Sequence, residues 1–190
     1  MKRLIVVLAC VLASAVANAQ AIDVAGVEFQ PSVQVGGQLL QLNGAGLRTR
    51  AFFKVYAAGL YVREKAHSAA ALLAQQGPRL VVIAMLRDVD GKSLSEAVSG
   101  GLQANHTQPE LAAFAAQIAL LEANLKAVGE ARQGDAIRFE FTPEAGTRIL
   151  VNGQALGAVI PGGEFFTAIL RNWIGKVPVD EGLKQALVGR

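Results

Sequence analysis

Arg48, Thr49 and Arg50 follow a glycine-rich segment, and Lys54, Tyr56 and Tyr61 come next in a run of aromatic and β-branched residues. These side chains have the clearest capacity for chemistry. A guanidinium offers a planar fork of N–H donors that fits a carboxylate or a phenolate, and a phenol adds a hydroxyl donor. At the mouth of an apolar cleft the two together would hold an anionic head while aromatic walls bury the rest of the ligand. Both Arg48 and Arg50 qualify as the cleft-facing arginine. Strand alternation puts Phe52, Lys54 and Tyr56 on one face and Tyr61 on the other, unless a bulge near Gly59 shifts the phase. A plainer reading stands beside this one: both arginines are surface charges, and both tyrosines are half-buried sheet residues.

Other chemistries lack their residues. The chain has no G-x-S-x-G elbow, P-loop, H-E-x-x-H pair or G-x-G-x-x-G run ahead of a helix. His67 and His106 sit in different connections, each beside a helix start and without an acidic cluster, so neither a metal centre nor another cofactor is expected. Asp88-Val89-Asp90-Gly91 lacks the remaining ligands of a calcium loop and reads as a capping turn.

The 190 residues are 52% apolar and 17% charged, enough to drive folding of one domain and too hydrophobic for a disordered chain. Met1 to Ala19 has the layout of a secretory leader: Lys2 and Arg3, an apolar run from Leu4 to Val16, then Ala17-Asn18-Ala19 as a small-residue cleavage site. Cleavage after Ala19 is expected, with delivery to the periplasm or the exterior. The run falls short of the roughly 20 apolar residues that span a bilayer, which disfavours a retained anchor. A lipoprotein signal at Cys10 would leave too short an apolar stretch after Arg3. Without the leader, 16 basic residues face 15 acidic ones and no cysteine remains, so disulfides and thiol catalysis are excluded. The basic residues are dispersed, and nucleic acid is not an expected partner. No feature specifies an oligomeric state.

Val33 to Leu42, split by Gly36-Gly37, reads as a hairpin, because glycine takes positive φ without steric cost. Asn43-Gly44-Ala45-Gly46 then reads as a flexible turn and 51–63 as a long central strand. A short helix over 68–76, opened by Ser68, precedes a buried strand over 79–86. Ser93 with Glu96 and Thr107 with Glu110 form capping boxes that open helices over 93–104 and 108–128. In the second, Leu111, Phe114, Ile118, Leu121, Leu125 and Val128 make one apolar stripe. Strands follow over 135–142, 147–151 and 154–160, the last two joined by the hairpin signal Asn152-Gly153. A helix carrying Phe165, Phe166, Ile169, Leu170 and Trp173 closes at Gly175, and a final one starts near Asp180. Strands before and after a helical block predict an α+β fold with helices packed on a mostly antiparallel sheet.

Leu42-Asn43-Gly44-Ala45-Gly46-Leu47-Arg48, followed by Lys54-Val55-Tyr56-Ala57-Ala58-Gly59-Leu60-Tyr61-Val62, resembles the G-A-G-x-R and K-[FV]-x-A-x-G-[VL]-Y segments of chalcone isomerase and its bacterial relatives. Ala168 to Gly175 with Val179 to Lys184 is similar to that family's closing helix and tail. The resemblance implies an open-faced β-sandwich of chalcone isomerase type, a large antiparallel sheet with helices over one face and a ligand cleft between. In the family's enzymes an arginine steers a phenolate onto an enone, while a threonine and a tyrosine organise a water at the carbonyl. By position, Arg48 takes the arginine's place, Tyr56 the threonine's and Asn172 that of the last polar contact. Leu94 and Gly101 stand where a helical tyrosine and asparagine belong.

Leucine and glycine cannot polarise a carbonyl or orient a water. The resemblance therefore implies non-catalytic binding of a small amphipathic acid, a fatty acid or an aromatic carboxylate or phenol, as in relatives that hold a fatty acid through an arginine and a tyrosine. Arg48, Tyr56, Tyr61 and Asn172 are the expected ligand contacts, with no cofactor. The alternative is an isomerase, an intramolecular lyase on an enone-like substrate, with Arg48 positioning the nucleophile and Tyr56 as hydroxyl donor. A third reading is a ligand-free envelope module that contacts another protein.

Overall fold

The computed structural model describes residues 20–190, so the leader expected at residues 1–19 lies outside the described residues. The described chain opens with a small hairpin, β1 (Ile22–Val24) and β2 (Val27–Phe29), turned at Ala25 and Gly26, both at positive φ. A second hairpin joins β3 (Ser32–Val35) to β4 (Gln38–Arg50) through Gly36 and Gly37, at φ 55 and 75. The glycine pair supplies the left-handed turn that the sequence predicts there.

In chain order there follow β5 (Phe53–Val62), α1 (Ala69–Leu73), β6 (Arg79–Met85), β7 (Val89–Asp90), α2 (Gly91–Asn105), α3 (Gln108–Ala113), α4 (Ala115–Lys126), β8 (Glu130–Ala131), β9 (Ala136–Thr142), β10 (Gly146–Val151), β11 (Gln154–Ile160), α5 (Gly163–Ile174) and α6 (Glu181–Leu187). Seven strands make one antiparallel sheet in the order β11-β10-β9-β6-β5-β4-β3. Among the described residues no helix is long and apolar enough to cross a membrane.

Period-two alternation gives the central strands two buried faces. On one, Leu60, Val81, Phe139 and Ile149 meet the helices, chiefly Phe166, Ile169 and Trp173 of α5. On the other, Leu40, Leu42, Ala57, Tyr61 and Leu80 gather under Phe29 of the first hairpin. Gly59 serves that second layer. A Cβ there would lie 2.6 Å from Phe29 Cδ1, and β5 keeps unbroken register with β6 through it, so Gly59 admits a ring and makes no bulge.

Asn43 to Gly46 is no turn. These residues continue β4, and the register steps from Leu42↔Tyr61 to Gly44↔Leu60, leaving Asn43 as the extra residue. Its buried amide joins two distant segments: Nδ2 donates to Leu187 O at 2.7 Å, and Oδ1 accepts from Ala66 N at 2.8 Å. Gly44 and Gly46 let α6 lie directly on the strand. A Cβ on Gly44 would fall 2.0 Å from Ala186 O, and one on Gly46 2.6 Å from Ala186 Cβ. Asp180 completes the clamp, accepting from Leu183 N at the start of α6 (2.9 Å) and from Thr49 N of β4 (3.0 Å).

One helix start and one helix length differ from expectation. Asp90, not Ser93, caps α2: its Oδ1 accepts from Ser93 N at 2.8 Å, while Ser93 Oγ donates back to Asp90 Oδ2 at 2.7 Å. A carboxylate three residues upstream outcompetes a serine whose hydroxyl it engages. The Thr107–Glu110 capping box forms, but the helix it opens breaks at Phe114 into α3 and α4. There Phe114 sits at φ −99, ψ 11, its ring 5.4 Å from Phe165.

Replacing Gly44 by alanine forces α6 off β4 and is expected to cost about 2–3 kcal/mol in chemical denaturation, since backbone atoms cannot yield as a flexible side chain would. Gly100→Ala on α2, where nothing lies within 4 Å, is the control. It should stabilise by about 0.5–1 kcal/mol through helix propensity.

Candidate functional site

The β4–β5 register sets Arg48 directly opposite Tyr56. One pair further on the register slips to Thr49↔Lys54, which leaves Val55 unpaired as a bulge. The expected grouping of Phe52 and Lys54 with Tyr56 fails for this reason. Phe53, Val55 and Tyr56 line one groove instead, while Phe52 and Lys54 are exposed.

Tyr56 is buried, and its hydroxyl accepts from Trp173 Nε1 of α5 at 2.9 Å. Burial pushes this phenol above its ordinary range, and the nearby Arg48 charge partly offsets the shift. The phenol is therefore neutral at physiological pH, accepts from Trp173 and has its proton available. The Arg48 guanidinium carbon stands 5.3 Å from the centre of the Tyr56 ring, a cation–π contact. Arg48 Nε is buried without a hydrogen-bond partner, and among the described residues Arg48 enters no ion pair.

Two spaces meet at this pair. The inner one is a void of about 40 Å³ walled by Ile83, Leu94, Val98, Ile137, Phe139 and Trp173, and it also touches Asn172. The outer one is an open groove of about 460 Å³ that runs past Phe53 and Val55 to Arg50, Arg87, Asp88 and Asp90. Arg48, Tyr56, Leu94 and Ala97 border both and form the neck between them. Two further open depressions of about 780 and 390 Å³ share Leu73, His106, Glu110 and Arg171, but the carboxylate they share, Glu110, already caps α3 through Thr107 N at 2.7 Å. His106 is half-buried, with Nδ1 2.9 Å from Leu102 O, and His67 is exposed. Among the described residues no three His, Cys, Asp or Glu side chains converge to hold a metal ion.

Of the sequence-predicted contacts, Arg48, Tyr56 and Asn172 are brought together. Asn172 of α5 is buried, donates from Nδ2 to Val98 O at 3.3 Å, and leaves Oδ1 without a partner. Gly101 permits this packing, because a Cβ there would sit 2.3 Å from that oxygen. Tyr61 does not join them. It faces the opposite side of the sheet and donates to Gln30 O at 3.0 Å. Burial pushes its pKa up to about 12 against the lowering effect of Arg138. Arg50 is exposed at the rim, so Arg48 is the arginine at the neck. Sequence reasoning placed Trp173 only as a core residue of the last long helix. Its indole N–H is a visible donor in need of a partner, but the partner lies 117 residues away.

A large antiparallel sheet layered with helices, with an arginine and a tyrosine paired across adjacent strands beneath them, is the arrangement that the resemblance implies. The family model described as chalcone isomerase-like matches residues 21–189, and the chain belongs to that family. The crystal structure of a fatty-acid binding protein from Arabidopsis thaliana shares the fold, with a TM-score of 0.61 at 15% identity over 86% of this chain and 92% of that one. No curated protein matches the sequence.

The Tyr61 titration gives a pH signature. Above pH 10 the unfolded chain releases a phenol proton that the folded chain keeps to about pH 12. The associated stability is thus complete below pH 10 and is lost as pH rises through about 12. Denaturation midpoints of Tyr61→Phe should fall less steeply than those of the wild type over this window.

Proposed function

We propose that this protein, once exported to the periplasm or exterior, binds a small amphipathic acid without turning it over. A fatty acid or an aromatic carboxylate or phenol fits the chemistry. The observation that carries this reading is the buried Arg48 Nε with no acceptor, beside a neutral phenol whose proton is unspent, at the neck of an apolar pocket. A carboxylate seated there would accept from both groups, and its apolar body would lie along Leu94, Val98 and Phe139. The fatty-acid binding neighbour supports the same class of ligand. On α2 the positions nearest the pocket carry Leu94 and Val98, and Gly101 faces Asn172, so no polar side chain there serves a reacting carbonyl.

The inner void sets a condition on this proposal. A cavity of about 150 Å³ accepts a benzene ring, whereas the void here is about 40 Å³. Seating an acyl tail or an aromatic ring therefore requires α2 to move outward from the sheet, enlarging the void behind the neck.

Calorimetry or native mass spectrometry with a panel of fatty and aromatic acids tests the site. Arg48→Ala should weaken binding about 10- to 100-fold, the equivalent of one charge-assisted hydrogen bond. Equal binding by wild type and variant, or none by either, overturns the assignment. Chalcone turnover abolished by Arg48→Ala would install the isomerase reading in its place.

The neck gives a second test. Ala97 is exposed and borders both spaces, so Ala97→Trp should block access and abolish binding with little change in the denaturation midpoint. Undiminished binding would show that the ligand does not pass between α2 and β5.

A further inference from the structure

The tip of the β4–β5 hairpin is built unlike the rest of the surface. Pairing ends at Arg50↔Phe53, so Ala51 and Phe52 form the turn, with Ala51 in the left-handed region at φ 54. Phe52 is 99% exposed and Phe53 61% exposed, two adjacent aromatic side chains on a convex point. Cations surround them. Arg50 and Lys54 flank the turn and are exposed, and the Arg87 guanidinium lies over the Phe53 ring, 5.0 Å from its centre. Among the described residues none of these three forms an ion pair. The carboxylates Asp88, Asp90 and Asp180 keep their charge nearby, but their hydrogen bonds go to Gln133 N, Ser93 N and Thr49 N, and none pairs directly with these cations.

We infer that this tip docks on the surface of an anionic lipid bilayer, with Phe52 inserted at the boundary between headgroups and acyl chains and the cations set among the headgroups. Exposed aromatics beside basic side chains free of direct ion pairs are the chemistry of interfacial membrane contact, in which apolar insertion and attraction to anionic lipid add together. The shape favours a bilayer over a protein. A stable protein partner needs about 800 Å² on each side, which a two-residue convex turn does not present, whereas a wedge in a bilayer needs only its own side chains covered. The tip also adjoins the neck. Phe53 and Arg50 line the outer groove that leads to Arg48, so a docked molecule would present that groove to the membrane and take up its acid there without passage through water. This uptake route rests on the binding function proposed above, while the docking itself does not.

Flotation of the purified protein with vesicles of phosphatidylglycerol in phosphatidylcholine, and with phosphatidylcholine alone, tests docking in the absence of any added acid. The wild type should float with the anionic vesicles, less so as salt is raised. Phe52→Ser should reduce the partition coefficient at least about tenfold, and Lys54→Glu should lower it and flatten its salt dependence. Acid binding measured without vesicles should be the same in Phe52→Ser as in the wild type, because Phe52 borders neither space. Failure of the wild type to float, or equal flotation by Phe52→Ser, overturns the inference. So does a wild-type dimer in sedimentation that Phe52→Ser dissolves, since the tip would then be covered by a second copy of the chain. Docking without acid binding would sink only the binding function, and acid binding without docking only this inference.

Discussion

The hydrogen bond from Trp173 Nε1 to the Tyr56 hydroxyl fixes what the rest of the site can do. A buried indole N–H must find an acceptor, and here it finds the phenol oxygen on the strand beneath it. The bond ties α5 to the centre of the sheet and uses the phenol as an acceptor, which leaves its proton free to be donated to another group. Its neighbour Arg48 is a donor and nothing else. Two donors side by side, one charged and one neutral, are what the acid of the proposed function would meet.

The contrast with Arg79 sharpens the point. Arg79 is almost wholly buried, held between the rings of Phe141 and Phe166 at 5.1 and 5.0 Å, and spends its terminal nitrogens on Thr167 Oγ1 and Gly163 O. Burial pulls its pKa down to about 10. That arginine has been absorbed into the core as a brace for the start of α5. Arg79 Nε, like that of Arg48, has no hydrogen-bond partner, but it is enclosed with its side chain, whereas Arg48 is half-buried, rests on a single ring and borders the neck. The strand carrying it is held on both sides of it, by α6 against Gly44 and Gly46 and by Asp180 against Thr49. Its backbone is thereby fixed while its side chain remains uncommitted.

Much of this was legible in the residues. Gly36-Gly37 and Asn152-Gly153 mark hairpins because few other pairs take positive φ cheaply, and the helix stripes follow from their spacing. The misread segments have physical reasons. Glycine serves a turn and a close helix contact equally well, so Asn43 to Gly46 looked like a turn until α6 supplied the reason for its small residues. Bulges at Asn43 and Val55 leave no local mark, yet each shifts the phase of a strand and decides which side chains share a face. Tyr61 and Tyr56 are alike in sequence context. Alternation sets them on opposite faces, and with no bulge at Gly59 to shift the phase one phenol lies beside Arg48 and the other bonds Gln30.

The volume of the pocket could not be read from any residue type, and it determines how a ligand must be admitted. Helix α2 covers the void and is fastened at both ends. Gly91 N donates to Gly129 O at 2.7 Å at the start, and Asn105 exchanges bonds of 2.8 and 3.0 Å with the backbone of Val177 at the finish. Between these points its polar ties are Ser99 Oγ to Glu122 Oε1 at 2.8 Å and Asn172 Nδ2 to Val98 O at 3.3 Å. A helix anchored at its ends widens the space beneath it by bowing in the middle, where Gly100 and Gly101 make the backbone least stiff. Bowing breaks the longer of the two ties first, and that tie belongs to Asn172. In the binding function proposed above, the amide freed in this way would face the enlarged pocket with an unpaired oxygen and a newly unpaired nitrogen, so the movement that makes room for an acid's body would also expose a second polar contact for it.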